Sequence, residues 1–186
     1  MTRPCWCRSS ASRSVPGDVV TVIATVRDPQ QLRRVFGSFP SGVAAVAALV
    51  AGEPVGIAAS SFTSVSLDPP LVSVCIAHTS TTWPVLRTAS RLGVSILSAG
   101  QEHAGRSLAG RTPDRFAAVP WRSTAHGAVV LDGARAWFET TVEQHVRAGD
   151  HDIVVLRVHD LDAQHDIGPL VYYASQFHRL EQGEQS

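Results

Sequence analysis

The chain has 186 residues, which suits a single domain, and 44% of them are hydrophobic against 17% that are charged. Its 16 basic and 16 acidic residues leave a formal net charge of zero, so the positive surface that binds nucleic acid or an anionic membrane is not expected. No apolar run approaches the ~18 residues of a membrane-spanning helix, and no apolar segment follows the basic N-terminus as in a secretory signal, so we expect a cytoplasmic protein.

The low charged fraction also bears on assembly. A chain with little charge to spread over its surface is expected to cover part of that surface with a partner. A second copy of the same chain is the commonest such partner. The composition therefore favours a homodimer.

Residues 1–17 are polar and rich in arginine and serine, which predicts a disordered tail ahead of one domain over residues 18–186. Cys5 and Cys7 lie in this tail, and with Cys75 they make an odd number that does not suggest a disulfide framework. A metal site needs more ligands than this pair, and the eight histidines show no metal-binding spacing. No metal is therefore expected.

The first half of the domain alternates apolar runs with turn residues. The run over 19–26 is either a strand or the lead into a helix, and Asp28 followed by Pro29 predicts a helix start. That helix carries apolar residues at helical spacing and ends by Pro40. A buried strand is predicted over 43–50 and another over 55–66. Gly56 within the second strand indicates a bulge or a close backbone approach.

A turn over residues 67–70 leads into a strand over 71–77 that is apolar on both faces and is expected to be central. A short helix then starts after Thr82, a strand follows over 92–97, and a helix over 101–109 ends at a glycine. Residues 111–116 form a loop with an apolar plug, Phe116. Residues 136–146 alternate with period two, and residues 153–158 return as the second strand of a hairpin.

These elements amount to six or seven strands and two or three short helices. The connections are mostly short, which suits antiparallel neighbours, and nothing recurs as strand–helix–strand. The pattern predicts a mainly β protein with short helices, built as a closed antiparallel barrel with helical insertions rather than a doubly wound parallel sheet.

The stretch over residues 56–82 is the main candidate for a binding site. Its first strand carries a run of hydroxyls, and its second ends at His78 and four hydroxyl residues just before a helix start. Backbone N–H groups at such a position can seat a phosphate, and His78 or Arg106 could add positive charge. An apolar wall with many short donors suits a flavin. The alternative is an exposed strand whose hydroxyls face solvent.

Gly149, Asp150 and His151 form the second candidate. They form either a hairpin turn whose aspartate side chain caps its own backbone, or part of a binding site to which the His151 imidazole contributes. No dinucleotide-binding GxGxxG, no P-loop and no Gly-x-Ser-x-Gly elbow is present, so a Rossmann domain, a P-loop NTPase and a serine hydrolase are not expected.

Seven segments in order carry a resemblance to a known family: FGSFPSGV, AASSFTSVSLDPPL, VCIAHTS, LAGRTPDRF, VLDG, AGDH and PLVYY, between residues 36 and 173. Together they resemble the short-chain NAD(P)H:flavin reductases, the reductase components of two-component flavin-dependent monooxygenases. The resemblance covers residues 32–180. It implies an FMN-binding split β-barrel that forms a homodimer with the flavin near the subunit interface.

The resemblance also implies an activity: hydride transfer from NAD(P)H to FMN or FAD, with reduced flavin supplied to a separate monooxygenase, such as one in antibiotic biosynthesis. NADH is favoured over NADPH because the sequence shows no arginine cluster for a 2′-phosphate. A non-catalytic flavin carrier or sensor and a pyridoxamine-phosphate-oxidase-like enzyme remain alternatives on the same barrel.

By position, the resemblance assigns roles to individual residues. The flavin is expected to contact Ala59, Ser60, Ser61 and Ser66, and backbone of Val74, Cys75 and Ala77. Its phosphate is expected at His78, Ser80 and Thr81. His151 is expected to lie by the nicotinamide as the catalytic residue, with Asp150 and Tyr172 nearby. Two departures stand out: His78 replaces a common arginine, and no arginines directly follow the tyrosines at 172 and 173.

Overall fold

The computed structural model describes residues 28–112 and 114–180. The predicted tail over 1–17, with Cys5 and Cys7, and the apolar run over 19–26 lie outside these residues. In the part of the chain that is described, no helix has the length and apolar character needed to cross a membrane.

The described residues form a mainly β structure with three short helices, as the sequence predicts. The helices are α1 (Pro29–Phe36), α2 (Trp83–Leu86) and α3 (Glu102–Ala109). The strands are β1 (Ser41–Gly42), β2 (Ala44–Val50), β3 (Glu53–Ala59), β4 (Thr63–Leu67), β5 (Pro70–Ala77), β6 (Leu92–Ile96), β7 (Trp121–Ser123), β8 (Val129–Leu131), β9 (Ala136–Ala148), β10 (His151–Ala163), β11 (Leu170–Tyr173) and β12 (Gln176–Arg179).

Seven of these strands form one antiparallel sheet, in the order β3-β2-β6-β9-β10-β5-β4. The edge strands β3 and β4 are consecutive in the chain and are joined only by residues 60–62. Four residue steps span at most about 14 Å, so the sheet must curl until its two edges approach each other. Among the described residues the two edges do not pair, so the sheet is curled but not closed.

The prediction of one continuous strand over 55–66 is wrong. The chain leaves the first edge at Ala59 and begins the other edge at Thr63. Between them the Ser61 side chain replaces a backbone ladder: Cys75 N–H donates to Ser61 Oγ at 2.8 Å, and Ser61 Oγ donates to the Cys75 carbonyl at 3.3 Å. Here a serine hydroxyl makes the hydrogen bonds that strand backbone groups usually make. Such a substitution does not change the hydrophobic periodicity, so the sequence does not reveal the break.

Both faces of β2 are buried, which explains its continuous apolar run. Ala44 and Val46 belong to the interior cluster of the curled sheet, with Val74, Val94 and Val154. On the opposite face, Ala45 and Ala47, with Val43 just before the strand, belong to a second cluster. This cluster also contains Leu108 of α3, Leu131 of β8 and Leu170 of β11. The strand therefore separates the barrel-like interior from a layer of helix and short strands.

A small sheet of order β1-β11-β12 lies beside this layer. Its register pairs Tyr172 with Ser41 on one side and with Phe177 on the other. The Tyr172 and Phe177 rings meet edge to face, with centroids 5.3 Å apart. This sheet places Tyr172 near α3 and the end of β3.

Candidate functional site

A cavity of about 430 Å³, which we call the main cleft, opens where β3, β5, β10 and α3 come together. Its walls are mostly small side chains, hydroxyls and backbone. The lining residues are Ile57–Ser61, Cys75–Ala77, Thr79–Thr82, Leu108–Arg111, Arg115 and His151. Such a surface combines an apolar wall with closely spaced hydrogen-bonding groups.

A second cavity of about 470 Å³, the side cavity, adjoins the main cleft. The two share Ala58, Ala59 and Ser60 on one wall and Ala109 and Gly110 on the other. The side cavity adds Val43, Gly105, Arg106, Tyr172, Ser175 and Phe177. Because the cavities share walls, one extended ligand or two stacked ligands could reach from one to the other.

Most of the residues expected at a flavin site line the main cleft together. They are Ala59, Ser60, Ser61, Cys75, Ala77, Ser80 and Thr81, and His151, which was expected by the nicotinamide, lines the same cleft. The register of the sheet brings distant segments to one place, since His151 at the start of β10 pairs with Ala77 at the end of β5. These residues are far apart in the chain, so it is the tertiary fold, and not any one sequence motif, that brings them together.

The remaining expected residues lie elsewhere. Ser66 pairs with Leu71 at the far end of β5 from the cleft and lines neither cavity, contrary to expectation. Val74 is fully buried in the interior cluster. Tyr172 lines the side cavity alone. His78 and Asp150 flank the cleft residues Ala77 and His151 without lining either cavity.

The His78 imidazole is hydrogen-bonded to a neighbouring carboxylate. Its Nε2 donates to Asp152 Oδ1 at 2.8 Å, and its backbone N–H donates to the Asp150 carbonyl at 2.9 Å. The hydrogen bond from His78 lowers the pKa of Asp152 below the ordinary carboxyl value, and the His145 charge nearby adds to this. The His78 ring is therefore hydrogen-bonded to Asp152 beside the cleft and does not line the cleft itself.

His151 is oriented by its own neighbour. Its Nδ1 lies 2.7 Å from Asp150 Oδ1, and this hydrogen bond lowers the pKa of Asp150. A carboxylate accepts, so Nδ1 carries the proton of this bond and the other ring nitrogen, Nε2, remains for a different partner. The turn residue Gly149 has φ of +65°, a conformation that suits glycine, so the tight turn before His151 depends on this residue.

The sequence of the described domain matches one known family. The flavin reductase like domain matches residues 36–181. The chain belongs to the flavin reductase-like family. The resemblance expected from the seven short segments is thereby confirmed.

Relatives in this family are described as reductases. The chain is 43% identical over 136 residues to a probable flavin reductase of Rhizobium meliloti, a match that covers 73% of this chain and 44% of that protein. The chain thus spans less than half the length of that relative. It is 32% identical over 160 residues to the reductase subunit of a flavin-dependent monooxygenase of Rhodococcus jostii, covering 86% of this chain and 82% of that one.

The structure also resembles a solved structure of a complex with NAD and FAD fragments. The TM-score is 0.79, at 36% identity, with an NADH:FAD oxidoreductase of Streptomyces globisporus in complex with NAD and FAD fragments. The match covers 87% of this chain and 99% of that chain. The likeness therefore extends over nearly the whole of a flavin reductase domain.

Sequence reasoning missed the arginines of the main cleft in this flavin reductase-like chain. Arg111 and Arg115 both line it, although their segment was predicted as a loop with an apolar plug and, within the family resemblance, neither arginine was assigned a role. The plug itself is confirmed, since Phe116 is buried and its ring packs on Gly56. The sequence did contain one signal: Phe116, predicted to be buried, directly follows Arg115 and so fixes the backbone of that arginine.

The hydroxyl segment before α2 has a structural role as well. Ser80 Oγ accepts from the backbone N–H of Trp83 at 3.1 Å and so caps the first turn of α2. Thr82 Oγ1 accepts from Arg115 at 2.9 Å. Within residues 28–112 and 114–180, no three His, Cys, Asp or Glu side chains are grouped so as to hold a metal ion.

Proposed function

We propose that this protein is an NADH:flavin oxidoreductase, which transfers a hydride from C4 of NADH to N5 of FMN or FAD. The reduced flavin then leaves for a separate monooxygenase. The observation that carries the proposal is the convergence of the hydroxyl-rich stretch and the Gly-Asp-His turn on one cleft, in a chain of the flavin reductase-like family. The reductase subunit named for the Rhodococcus jostii relative supports the monooxygenase partner.

The residues of the main cleft fit a flavin. Ile57, Ala58 and Leu108 provide apolar contact for a ring system, and the backbone of Cys75–Ala77 provides hydrogen-bonding groups beside it. The hydroxyls of Thr79–Thr82 provide donors for a phosphate. The bound flavin supplies the hydride acceptor, and the protein supplies orientation and exclusion of water.

His151 would position the nicotinamide rather than relay an essential proton. Its ring is held by Asp150 through Nδ1, which leaves Nε2 for the hydride donor. Tyr172 lies in the side cavity, across the shared wall of Ala58–Ser60. A donor that meets both His151 and Tyr172 must therefore lie over this wall.

NADH stays the preferred donor over NADPH. Of the three arginines at the cavities, Arg106 is paired with Glu102 at 2.7 Å, and Arg115 is bound to Gly56 and Thr82. Arg111 is exposed. Two of the three arginines therefore already have partners within the chain, and an arginine committed in this way is less available to select a 2′-phosphate.

We also propose that the protein is a homodimer with the barrel completed near the subunit interface. Seven large apolar side chains are more than half exposed among the described residues: Val35, Phe36, Phe39, Val65, Leu67, Leu161 and Leu180. A groove lined by Phe36, Phe39 and Phe62 also reaches Ser60 and Ser61 of the main cleft. Apolar surface of this kind is typical of an interface, and a second copy would cover it beside the flavin site.

The test is an assay of the purified chain with NADH or NADPH and either FMN or FAD, followed by the loss of reduced-nicotinamide absorbance. We expect NADH to be consumed only when flavin is present, and faster than NADPH. If flavin binds but neither nucleotide is consumed, the chain is a flavin carrier and the proposed activity is wrong.

A further inference from the structure

Resting on the proposed function, we infer that His78 is a positioning residue for the hydride donor, because it holds in place the turn that carries His151. Its two hydrogen bonds go to Asp150 and Asp152, the residues on either side of His151. The His78 ring lines neither the main cleft nor the side cavity. Its effect on a bound donor therefore passes through His151.

The first of these bonds comes from the His78 backbone. Its N–H donates to the Asp150 carbonyl at 2.9 Å, one residue beyond the Ala77–His151 pair that ends the register of β5 with β10. This bond does not involve the imidazole. The strand pairing is therefore expected to survive when the side chain is replaced by alanine or glutamine.

The second bond comes from the imidazole. Its Nε2 donates to Asp152 Oδ1 at 2.8 Å, and Asp152 Oδ2 faces His145 Nδ1 at 4.0 Å. The hydrogen bond from His78 lowers the pKa of Asp152, and the charges of His145 and Arg147 add to this. Asp152 is therefore a carboxylate at neutral pH and a stronger acceptor than a neutral group. The imidazole thus fixes the residue that directly follows His151.

His151 needs this support because its own side-chain partner is exposed. The Asp150 carboxylate, which accepts from His151 Nδ1, is 94% exposed, and exposed pairs of this kind contribute little. Gly149, just before it, has φ of +65°, and glycine restricts the backbone less than any other residue. Asp150 sets the direction of the His151 ring, whereas the bonds from His78 set the position of the backbone that carries it.

His78 is itself joined to a fixed part of the fold. It is followed by the segment Thr79–Thr82, in which Ser80 Oγ accepts from the Trp83 N–H at 3.1 Å at the start of α2. Trp83 is buried in the interior cluster of the curled sheet. The two bonds of His78 therefore connect the turn before β10 to an element that is anchored in the core.

The test measures kcat/KM for NADH and the Kd for FMN in His78→Ala, in the wild-type background and in the His151→Ala background. We expect His78→Ala to lower kcat/KM for NADH about threefold to tenfold in the wild-type background, because a displaced His151 orients the nicotinamide less well. In the His151→Ala background the further loss should be less than about twofold, since residues that act as a unit are not additive. The Kd for FMN should change less than about twofold in both.

Two further variants probe the side-chain bond itself. Asp152→Ala should match His78→Ala, and the double variant should be no worse than either, because each removes the same hydrogen bond. His78→Gln keeps an N–H donor for Asp152 and should recover most of the kcat/KM. Glu143→Ala is the matched control, because it removes two hydrogen bonds between β9 and Arg157 of β10, outside both cavities, and should leave kcat/KM unchanged.

Three kinetic results would overturn the inference: an unchanged kcat/KM for NADH in His78→Ala, the same loss in both backgrounds, or no recovery in His78→Gln. A fourth is a Kd that rises for FMN but not for riboflavin, which lacks the phosphate. That result would assign His78 to the flavin phosphate instead.

Hydrogen exchange separates the inference from the proposed function because it needs no hydride donor. Amide exchange of residues 149–152, measured by mass spectrometry on the full chain, should be about threefold to tenfold faster in His78→Ala and should return toward the wild-type rate in His78→Gln. Faster exchange in a chain that does not consume NADH would reject the reductase activity and keep the role of His78 in holding the turn. NADH consumption with unchanged exchange would keep the reductase activity and overturn the inference.

Discussion

Individual side chains around the main cleft are organised as neighbouring donor–acceptor pairs. Asp150 accepts from His151, and Asp152 accepts from His78, so each carboxylate orients one imidazole. Arg115 instead binds neutral acceptors. The pairing explains why a histidine in a sequence is a weak guide to where a positive charge is available.

Replacing His151 should separate hydride-donor use from flavin binding. We expect His151→Ala to lower kcat/KM for NADH by about tenfold to a hundredfold, because positioning of the nicotinamide is lost, while the Kd for FMN stays within about twofold. Steady-state kinetics and flavin titration measure the two quantities. His165→Ala, at an exposed histidine outside both cavities, is the control. Equal loss of NADH use and flavin binding would contradict the assigned role.

The pair of His78 and Asp152 makes a prediction about pH. The hydrogen bond from His78 lowers the pKa of Asp152 in the folded state below the ordinary carboxyl value of 3.8. The Asp152 carboxylate therefore stabilises the fold at pH values above 3.8, and this stabilisation is lost as the pH falls through the pKa of Asp152 in the folded state. Asp152→Asn should therefore reduce the urea midpoint at about pH 5, and this difference from wild type should vanish in stronger acid. A difference that grows on acidification would have the wrong sign.

At the residue level the sequence predicted much of the cleft but not its charge. Ser60, Ser61, Cys75 and His151 were identified because their segments resemble a family. Ser66 lies away from the cleft because it pairs with Leu71, at the far end of β5, after a register shift between Ser64 and Ser66. Arg115 was missed because its position depends on where Phe116 is buried, which is a tertiary contact.

At the level of elements, three glycines differ in how closely other atoms approach the position that a Cβ would take. A Cβ on Gly93 of β6 would lie 1.9 Å from the carbonyl oxygen of Val129 in β8, so two backbones would have to separate. A Cβ on Gly56 would meet the end of a side chain, Phe116, at 2.8 Å. At Gly168 a Cβ would meet nothing within 4 Å.

These distances predict a graded series of alanine variants. Gly93→Ala should cost more than about 4 kcal/mol or prevent folding, because backbone cannot give way cheaply. Gly56→Ala should cost about 1–3 kcal/mol and also weaken FMN binding, because it displaces the plug beside Arg115. Gly168→Ala is the control and should change the free energy of unfolding by less than about 0.5 kcal/mol. Urea denaturation measures the series, and Gly93→Ala as stable as Gly168→Ala would contradict it.

Elements with strong local signals were predicted well. The N-cap of α1 is confirmed by the Asp28 Oδ1 bond to the N–H of Gln30 at 2.9 Å, and the β9–β10 hairpin is confirmed with longer strands than expected. The five shortest strands, β1, β7, β8, β11 and β12, have two to four residues each and carry no usable period. The break between β3 and β4 was not predicted because hydroxyl residues run through it without a turn signal.

At the level of the whole molecule, the exposed apolar face points to assembly. Phe36 is 70% exposed and Phe39 is 76% exposed, although both are large and apolar. If a second copy covers them, Phe36→Ser with Phe39→Ser should convert a dimer to a monomer without loss of secondary structure. Light scattering after gel filtration measures the mass, and circular dichroism checks the fold. A wild-type chain that is monomeric at all concentrations would contradict the proposed dimer.

The proposed function requires that the curled sheet gather His151 and the residues proposed for the flavin into one cleft, so that a hydride can pass between two bound molecules. Anaerobic rapid mixing of NADH with the chain and FMN tests it most directly, since no oxygen then reoxidises the product. The account predicts bleaching of one flavin per NADH at a rate that rises with protein concentration and falls in His151→Ala. Bleaching no faster than without protein, under conditions where FMN is bound, would contradict it.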